Sequence, residues 1–326
     1  VYADDAPERL GNLLTRILSQ RYEGKTEVIV VNDGASPDVA DVVKRLSQEH
    51  PNLYQTFVPN EAHNLSRRKL GLSLGIKAAR QPYVVITCDR CIPESDDWLD
   101  AMTRPFARGK DVVLGFARME GLEKGADRFD EVATAVVWLT AALGGKPYRG
   151  TGLNIGYKRS LFFEVKGFSR YLTLHNGDDD LFVNQIATGE NTEAVLCGES
   201  RMKAEFPDAE KSFRDMRMNH CFTGRFLPSG SRRFFGSATV ALWVWLAAVV
   251  TGIVFSLPNA LPACVFLAMV PAVTVPMAMA WSGAGKALGV RLSPWTAGWR
   301  MWWRWIRNRR FGMMCGLDSR KNYTWV

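Results

Sequence analysis

Three consecutive acidic residues, Asp178, Asp179 and Asp180, are the strongest candidates for chemistry in this sequence. They follow His175-Asn-Gly and precede an apolar segment, which predicts a turn that leads into a helix. One carboxylate at a helix start would serve as an N-cap, because the helix dipole favours negative charge there. Three carboxylates exceed what capping needs, since they repel one another unless they face solvent, a cation or a proton to be taken. The cluster therefore indicates acid–base chemistry or cation binding.

Two further aspartates follow predicted strands. The β-branched segment 27–33 ends at Asp33, and the apolar segment 83–87 is followed two residues later by Asp89. Continuous apolar strands of this kind are typical of a parallel sheet that is buried on both faces. Because ligands bind at the carboxyl ends of parallel strands, we expect Asp33 and Asp89 to lie at one site.

Six cysteines are present, and only Cys88 and Cys91 have motif-like spacing. A zinc site would need two further ligands, and the sequence has no second Cys-x-x-Cys. A redox pair is an open alternative, although this motif precedes a proline-containing loop and not an evident thioredoxin-type helix. We predict free thiols in a reducing cytosol.

The segments that position these residues alternate between strand and helix. The predicted helices cover 8–20, 38–49, 66–80 and 97–106, and the predicted strands cover 27–33, 54–58, 83–87 and 111–116. Val1-Tyr2 is interpreted as the end of a first strand whose beginning is absent from the sequence. This order predicts an α/β fold with a doubly wound, mostly parallel sheet and helices on both faces. A further helix is expected at 128–143, short helices at 159–163 and 181–187, and a glycine-rich loop at 144–156.

The sequence changes character after residue 233. Residues 234–285 contain no Asp, Glu, Lys or Arg, and the apolar segments 237–257 and 261–281 are each long enough to cross a bilayer. Both flanks are basic, so a hairpin with both ends in the cytoplasm satisfies the positive-inside rule. A buried hairpin of a soluble protein is the alternative.

Charge is also unevenly distributed along the 326 residues, which carry a net charge of +8. Nucleic-acid binding is one reading of a basic chain. Because the basic residues mix with tryptophan beside the apolar segments, no nucleic-acid partner is predicted. We expect residues 295–311 to form an interfacial amphipathic helix, with indoles at headgroup level and guanidinium groups on lipid phosphates, and a packed core helix is the alternative.

Over residues 1–235 these features resemble family 2 glycosyltransferases, which are inverting enzymes of the GT-A fold. Five pieces that are similar to the family occur in the family's order: 19–22 with 27–36, 64–79, 84–98, 154–168 and 177–182. The resemblance implies that 1–235 is the catalytic domain, that 236–283 forms two transmembrane helices and that 284–326 is a Trp/Arg-rich interfacial segment.

One departure from the family concerns the metal. The family usually carries Asp-x-Asp where this sequence has Cys88-Asp89-Arg90. The family pattern implies Mg²⁺ or Mn²⁺, hard cations that prefer carboxylate oxygen, with Asp89 as the ligand. Three possibilities are open: Arg90 partly replaces the metal, Asp89 coordinates it after a local shift, or the protein is catalytically impaired.

The resemblance also implies roles for single residues. Asp179 maps onto the catalytic base, and Asp178 is the second candidate. The residues expected to bind the nucleotide-sugar donor, of UDP or GDP type, are Asp33, Lys69, Asp89, Arg90 and Arg217. The last of these lies, with Arg214 and Arg225, where related membrane synthases carry Gln-x-x-Arg-Trp, a motif that is not present here as such. The residues expected in the acceptor loop are Gly150, Gly152 and Asn154.

Together these features predict a glycosyltransferase that moves a sugar from a nucleotide-sugar donor to a lipid-linked or polysaccharide acceptor. The predicted location is the bacterial inner membrane, with the catalytic domain facing the cytoplasm. The alternative is a catalytically impaired protein of the same fold that binds a nucleotide sugar or a partner protein, and the Cys-Asp-Arg departure is its main support.

Overall fold

A computed structural model describes residues 1–4, 6–59, 66–228, 230–257, 259–318 and 323–324, with the backbone alone for 230–235. The strands are β1 (Tyr2–Ala3), β2 (Val28–Asp33), β3 (Leu53–Val58), β4 (Tyr83–Ile86), β5 (Cys91–Pro93), β6 (Val112–Leu114), β7 (Ala117–Met119), β8 (Ile155–Lys158), β9 (Thr192–Ala194) and β10 (Met202–Ala204). The helices are α1 (Pro7–Leu18), α2 (Pro37–Ser47), α3 (Arg67–Ala78), α4 (Trp98–Ala107), α5 (Gly125–Leu143), α6 (Arg159–Glu164), α7 (Asp180–Ile186), α8 (Ala209–Thr223), α9 (Gly230–Ser256), α10 (Ala260–Ala287) and α11 (Pro294–Leu317).

A mostly parallel sheet organises the first part of the chain. β1 pairs in parallel with β2, and β2 with β3. A parallel bridge between Tyr2 and Cys88 joins these strands to the set ordered β4-β8-β6-β9. In that set only β8 runs antiparallel to its neighbours. The predicted α/β fold with a mostly parallel sheet is confirmed.

The carboxyl ends of the parallel strands lie at one edge of the sheet. Val30 and Val31 in β2 are buried, as expected of a strand that is covered on both faces. α3 packs on β2 and β3, and its first turn lies at their carboxyl ends. The same edge therefore collects residues from β1, β2, β4 and the start of α3.

Two parts of the predicted topology are wrong. Residues 155–156, which were expected to end a loop, belong to the antiparallel strand β8 at the centre of the sheet. A small second sheet, ordered β5-β10-β7, was not predicted because each of its strands has three residues and shows no usable period. Both features lie beside the predicted acceptor loop and the Cys-Asp-Arg segment, so they shape the site.

α9 and α10 form an apolar hairpin. The spans 236–256 and 260–287 have mean hydropathies of 2.2 and 2.0, and only 6% of each apolar window is buried within the protein. A core helix of a soluble protein would be mostly buried, so these two helices are long, apolar and uncovered. By length and composition they are able to cross a membrane.

α11 has two different faces. On one face Arg307 Nη2 donates to Asp127 Oδ1 at 2.7 Å, and Arg304 Nη2 donates to the carbonyl of Ala133 at 3.0 Å. These two arginines therefore pack on α5, contrary to the prediction that they face lipid phosphates. The opposite face exposes a stripe of apolar side chains at helical spacing: Trp295, Trp299, Trp303, Ile306, Met313 and Leu317.

Candidate active site

The ends of β2 and β4 flank the end of β1. The chain after β1 passes between them, and the backbone N–H of Asp4 donates to Asp89 Oδ2 at 3.1 Å. Asp33, at the end of β2, accepts hydrogen bonds from the Tyr2 hydroxyl and from Arg67 Nε, the latter at 2.7 Å. The two strand-end aspartates are thus one strand apart at the carboxyl edge.

Asp33 is held by its two donors. Burial, followed by the neighbouring Asp33 carboxylate, raises the pKa of Tyr2, so the phenol stays protonated and donates. Arg67 Nη2 also lies 2.6 Å from the Asp33 carboxylate. The carboxylate is therefore oriented by charge and by a neutral hydroxyl, and it keeps partial exposure at the edge.

Gly152 is linked to two of the three consecutive aspartates, to Asp179 directly and to Asp178 through Arg68. Arg68 Nε donates to Asp178 Oδ2 at 2.7 Å, and Arg68 Nη2 donates to the Gly152 carbonyl at 3.1 Å. The Gly152 N–H donates to Asp179 Oδ2 at 3.2 Å. A Cβ at Gly152 would lie 2.8 Å from Arg68 Nη2, so a side chain there would displace the arginine. Of the predicted acceptor-loop residues, Gly152 is in direct contact with the acidic cluster.

Within the three consecutive aspartates, Asp179 has a raised pKa. Burial, together with the negative charges of Asp180 and Asp178, raises its pKa to about 7. Arg68 and the N–H of Asp180, which donates to Asp179 Oδ1 at 2.6 Å, oppose that rise. Asp179 is also the N-cap of α7 and is only half-buried by accessible surface. A carboxylate with a pKa near neutrality can take a proton at neutral pH and release it again.

Asp180 has a different role. Its side chain is buried, accepts from the Thr223 hydroxyl, and lies 3.2 Å from Arg149 Nη2. Arg149 Nη2 also donates to the His220 carbonyl at 3.1 Å, which ties α7 to α8. Burial, then Arg149 and Arg217, lowers the pKa of His220 well below its usual range, so this histidine is neutral. The three aspartates therefore divide into one paired with Arg68, one with raised pKa and one buried anchor.

Lys69 does not lie where the sequence interpretation placed it. Its side chain is 2% exposed, and Nζ donates to the carbonyls of Tyr171, Leu174 and Asn176 at 2.7, 2.7 and 2.8 Å. An ammonium group has three N–H donors, and all three are used. Lys69 thus fixes the loop before the acidic cluster and has no donor for a diphosphate.

Arg217 also faces the protein interior. Its Nε donates to Asp130 at 2.9 Å and its Nη2 to Asn308 at 2.8 Å, so it links α8 to α5 and α11. It is 7% exposed. Its assignment to nucleotide-sugar binding is corrected to a structural ion pair.

Two predicted acceptor-loop residues are structural as well. Asn154 is fully buried, donates to the carbonyls of Phe116 and Ser200, and accepts from the Trp98 indole. Gly150 faces apolar side chains, and a Cβ there would lie 2.9 Å from Val183. The side-chain amide of Asn154 is thus engaged within the protein, and Gly150 lies against apolar side chains.

Sequence reasoning missed three residues of this edge, Tyr2, Arg67 and Arg68. The run Arg67-Arg68-Lys69 at a helix start was visible, but Lys69 was selected from it. Tyr2 lies in a strand of two residues and carried no signal of its own. The other predicted residues lie in two places. Those at the carboxyl edge are Asp33, Asp89 and Arg90, and those in the acidic cluster beside Gly152 are Asp178 and Asp179.

The predicted metal ligand, Asp89, is already engaged by neighbouring groups. Mg²⁺ is usually bound in proteins through one or two carboxylates together with waters and substrate phosphates, so the state of this carboxylate decides how well a metal fits. Over the part of the chain that the structure describes, no group of three or more His, Cys, Asp or Glu could hold a metal ion. Asp89 is 1% exposed, one of its oxygens accepts from the Asp4 N–H, and Arg90 Nε lies 3.9 Å from the other. Burial raises the pKa of Asp89 to about 6, and Arg90 opposes that rise. Asp89 is therefore a buried carboxylate that holds its neighbours, and its roles as metal ligand and donor contact stay predictions.

The two cysteines of the motif lie directly behind this segment. Cys88 and Cys91 are buried free thiols whose sulfurs are 3.6 Å apart. The hydrogen bond from Cys91, ahead of the opposing effect of burial, lowers the pKa of Cys88 to about 7. They pack the turn that presents Arg90.

A cavity of about 780 Å³ with both apolar and polar lining residues lies elsewhere in the fold. It is lined by residues of β2 and β4, such as Ile29 and Val84, and by Phe106 from α4. None of the predicted site residues lines it. The titratable groups locate the site at the carboxyl edge instead.

Comparisons with known proteins bear on the family and on the fold. The sequence profile described as Glycosyl transferase family 2 matches residues 2–169, which include Asp33, Asp89 and Gly152. Among curated proteins, none matches the chain in sequence.

Two solved structures are similar in fold. One is the mannosyltransferase PcManGT from Pyrobaculum calidifontis in complex with GDP-Man and Mn²⁺, with 18% identity, a TM-score of 0.55, and coverage of 97% of this chain and 84% of that one. The other is TarS residues 1–349 from S. aureus in complex with UDP-GlcNAc, with 15% identity, a TM-score of 0.44, and coverage of 68% and 64%. The first supports the predicted GT-A arrangement of the fold.

Proposed function

The chain belongs to glycosyl transferase family 2 and is a glycosyltransferase, and from this premise we propose that it transfers a sugar with inversion from a nucleotide-sugar donor to a lipid-linked or polysaccharide acceptor. The proposed place of action is the cytoplasmic face of a bacterial inner membrane. The observation that carries the proposal is the raised pKa of Asp179, which is about 7 and suits a general base at neutral pH.

In the proposed reaction the Asp179 carboxylate takes the proton of the acceptor hydroxyl. The acceptor oxygen attacks C1 of the sugar from the face opposite the diphosphate, and the bond between C1 and the diphosphate oxygen breaks. The configuration at C1 is therefore inverted. Arg68 supports this step by neutralising Asp178, which would otherwise raise the pKa of Asp179 further.

Donor recognition is assigned to the edge at β1 and β2. Asp33, oriented by Tyr2 and Arg67, is proposed to accept hydrogen bonds from the base or ribose of a UDP- or GDP-type donor. PcManGT, which is similar in fold, is in complex with GDP-Man, and a GDP-type donor is therefore worth testing beside a UDP-type one. The absence of a side chain at Gly152 leaves Arg68 the room to pair with Asp178 beside Asp179, where the acceptor hydroxyl is proposed to bind.

The membrane part of the proposal rests on the C-terminal helices. α9 and α10 are proposed to cross the bilayer as a hairpin with both ends in the cytoplasm, since basic residues flank both ends. The apolar stripe of α11 would lie at the interface, where tryptophan side chains are favoured. Because the other face of α11 packs on α5 and α8, the catalytic edge would be held near lipid headgroups.

The test is donor turnover by the full-length protein in detergent with added membrane lipids. We expect hydrolysis or transfer from a UDP- or GDP-sugar, and a loss of roughly 10²- to 10⁴-fold in kcat for Asp179→Asn, the range of general-base catalysis. Asp215→Asn, in helix α8, serves as the control. Equal turnover by wild type and Asp179→Asn would remove Asp179 as the base.

A second candidate function is a catalytically impaired protein of the same fold that binds a nucleotide sugar or a partner protein. The Cys88-Asp89-Arg90 sequence, which stands where the family usually carries Asp-x-Asp, favours it. Tight nucleotide binding with no turnover under any condition, even with native acceptor lipids, would select this candidate.

A further inference from the structure

Arg90 is a fixed cation at the carboxyl edge. Its Nη2 donates to Asp4 Oδ2 at 2.7 Å, and its Nε lies 3.9 Å from Asp89 Oδ1. The guanidinium carbon lies 5.5 Å from the centre of the Phe206 ring. Groups that follow β1, β4 and β10 thus hold one guanidinium in place, and 26% of its side chain is exposed.

Arg90 belongs to the Cys88-Asp89-Arg90 segment, which stands where the family usually carries Asp-x-Asp. Two carboxylates, Asp4 and Asp89, face it from neighbouring strand ends. A pair of carboxylates at this edge could help to hold a divalent cation, but here a permanent monovalent cation already lies between them. A divalent ion beside Arg90 would be repelled by it, and the carboxylates that could bind the ion are engaged.

Three basic residues, Lys69, Arg90 and Arg217, are predicted from the sequence to bind the donor. Of these, only Arg90 has a partly exposed side chain that could reach a ligand. Lys69 has its three donors on carbonyls, and Arg217 is buried against Asp130. Arg90 combines partial exposure with a fixed orientation. A guanidinium binds phosphate oxygens through two parallel N–H groups, and it stays charged at every physiological pH.

We propose that Arg90 binds the diphosphate of the donor and stabilises the leaving nucleoside diphosphate, so that donor binding and transfer need no divalent cation. This inference rests on the proposed function. When the bond between C1 and the diphosphate oxygen breaks, its electron pair goes to that oxygen. In this proposal Arg90 neutralises the added charge while Asp179 takes the acceptor proton.

The experiment measures the affinity of the full-length protein in detergent for UDP and for GDP by calorimetry, once in EDTA and once in Mn²⁺. We expect the wild-type dissociation constant for the preferred nucleotide to agree within about twofold between the two buffers, and Arg90→Ala to weaken it at least about tenfold in both. Arg104→Ala removes an exposed arginine that pairs with Asp100 at 2.6 Å, and should bind as wild type.

Two further variants separate charge from fold. Arg90→Gln keeps a donor for Asp4 and part of the contact with Phe206 but removes the charge, and it should weaken binding like Arg90→Ala. Arg90→Lys keeps the charge without the paired N–H groups, and it should bind with intermediate affinity. Thermal unfolding of each variant checks that it is folded.

Two results would overturn the inference while leaving the proposed function intact. One is a gain of tenfold or more in wild-type affinity on adding Mn²⁺. The other is wild-type affinity in a folded Arg90→Gln protein. Failure of wild type to bind UDP or GDP in either buffer would instead overturn the proposed function, and this inference with it.

Discussion

Arg68 donates a 2.7 Å hydrogen bond from Nε to Oδ2 of Asp178, and this ion pair gives the adjacent aspartates Asp178 and Asp179 different surroundings. The Asp178 carboxylate is thus paired with a guanidinium. Asp179 has no such partner at that distance among the contacts described, and burial beside two other carboxylates raises its pKa to about 7. Two neighbouring carboxylates in different environments are a common way to separate acid–base roles.

The first prediction concerns the pH dependence of transfer. A base with a pKa of about 7 is protonated and inactive below that pH, so kcat/KM should rise as pH increases from about 6 to 8 and then level off. Initial rates at subsaturating donor across this range measure it. A rate that is already constant from pH 5 upward would contradict the pKa given to Asp179.

The second prediction concerns a substitution of Arg68, which neighbours the proposed base Asp179. Arg68→Ala removes the positive charge that lowers the pKa of Asp179 and leaves Asp178 uncompensated. The rising limb of the pH–rate profile should therefore move to higher pH by about one unit or more. Arg68→Lys retains the charge and should shift the limb less. A loss of rate with an unshifted limb would mean that Arg68 only supports the fold.

Long elements could be predicted from the sequence because their periods are repeated. The segments that became α1, α2, α3 and β2 were placed within a few residues, since each shows several turns or a continuous β-branched run. The strand β8 has four residues with a glycine, Gly156, between Ile155 and Tyr157. Only its long-range pairing with β4 and β6 makes it a strand, and one sequence cannot show that pairing.

The site was predictable in part for a related reason. Parallel strands end at one edge, so Asp33 and Asp89 could be placed there from their positions after apolar segments. Adjacent residues on a helix point about 100° apart, so the choice between Arg68 and Lys69 depended on the rotation of α3, which the sequence leaves open. The ion pair of Arg217 could not be predicted, because a sequence does not distinguish an arginine that faces a phosphate from one that faces a buried carboxylate such as Asp130.

A third prediction tests the corrected role of Lys69. Lys69→Met leaves three carbonyls of the loop before the acidic cluster without their donor, at a cost on the order of 1–3 kcal/mol for each that stays buried. The midpoint of thermal unfolding should fall clearly, whereas affinity for UDP or GDP should stay within about twofold in protein that remains folded. Lys77→Met, at an exposed position of the same helix, is the control. An unchanged midpoint with lost nucleotide affinity would restore Lys69 to the donor site.

The last prediction concerns the direction of the α9–α10 hairpin. If both ends lie in the cytoplasm, the turn between the helices at Asn259 faces the other side of the membrane. In right-side-out vesicles that contain a Cys264→Ser background, a membrane-impermeant maleimide should label Asn259→Cys. The native Cys197 is exposed on the catalytic domain and should be labelled only in inverted vesicles, which makes it an internal control. Labelling of both cysteines from the same side would show that the hairpin does not cross the bilayer, and the proposed delivery of a lipid-linked acceptor to Asp179 would then need another route.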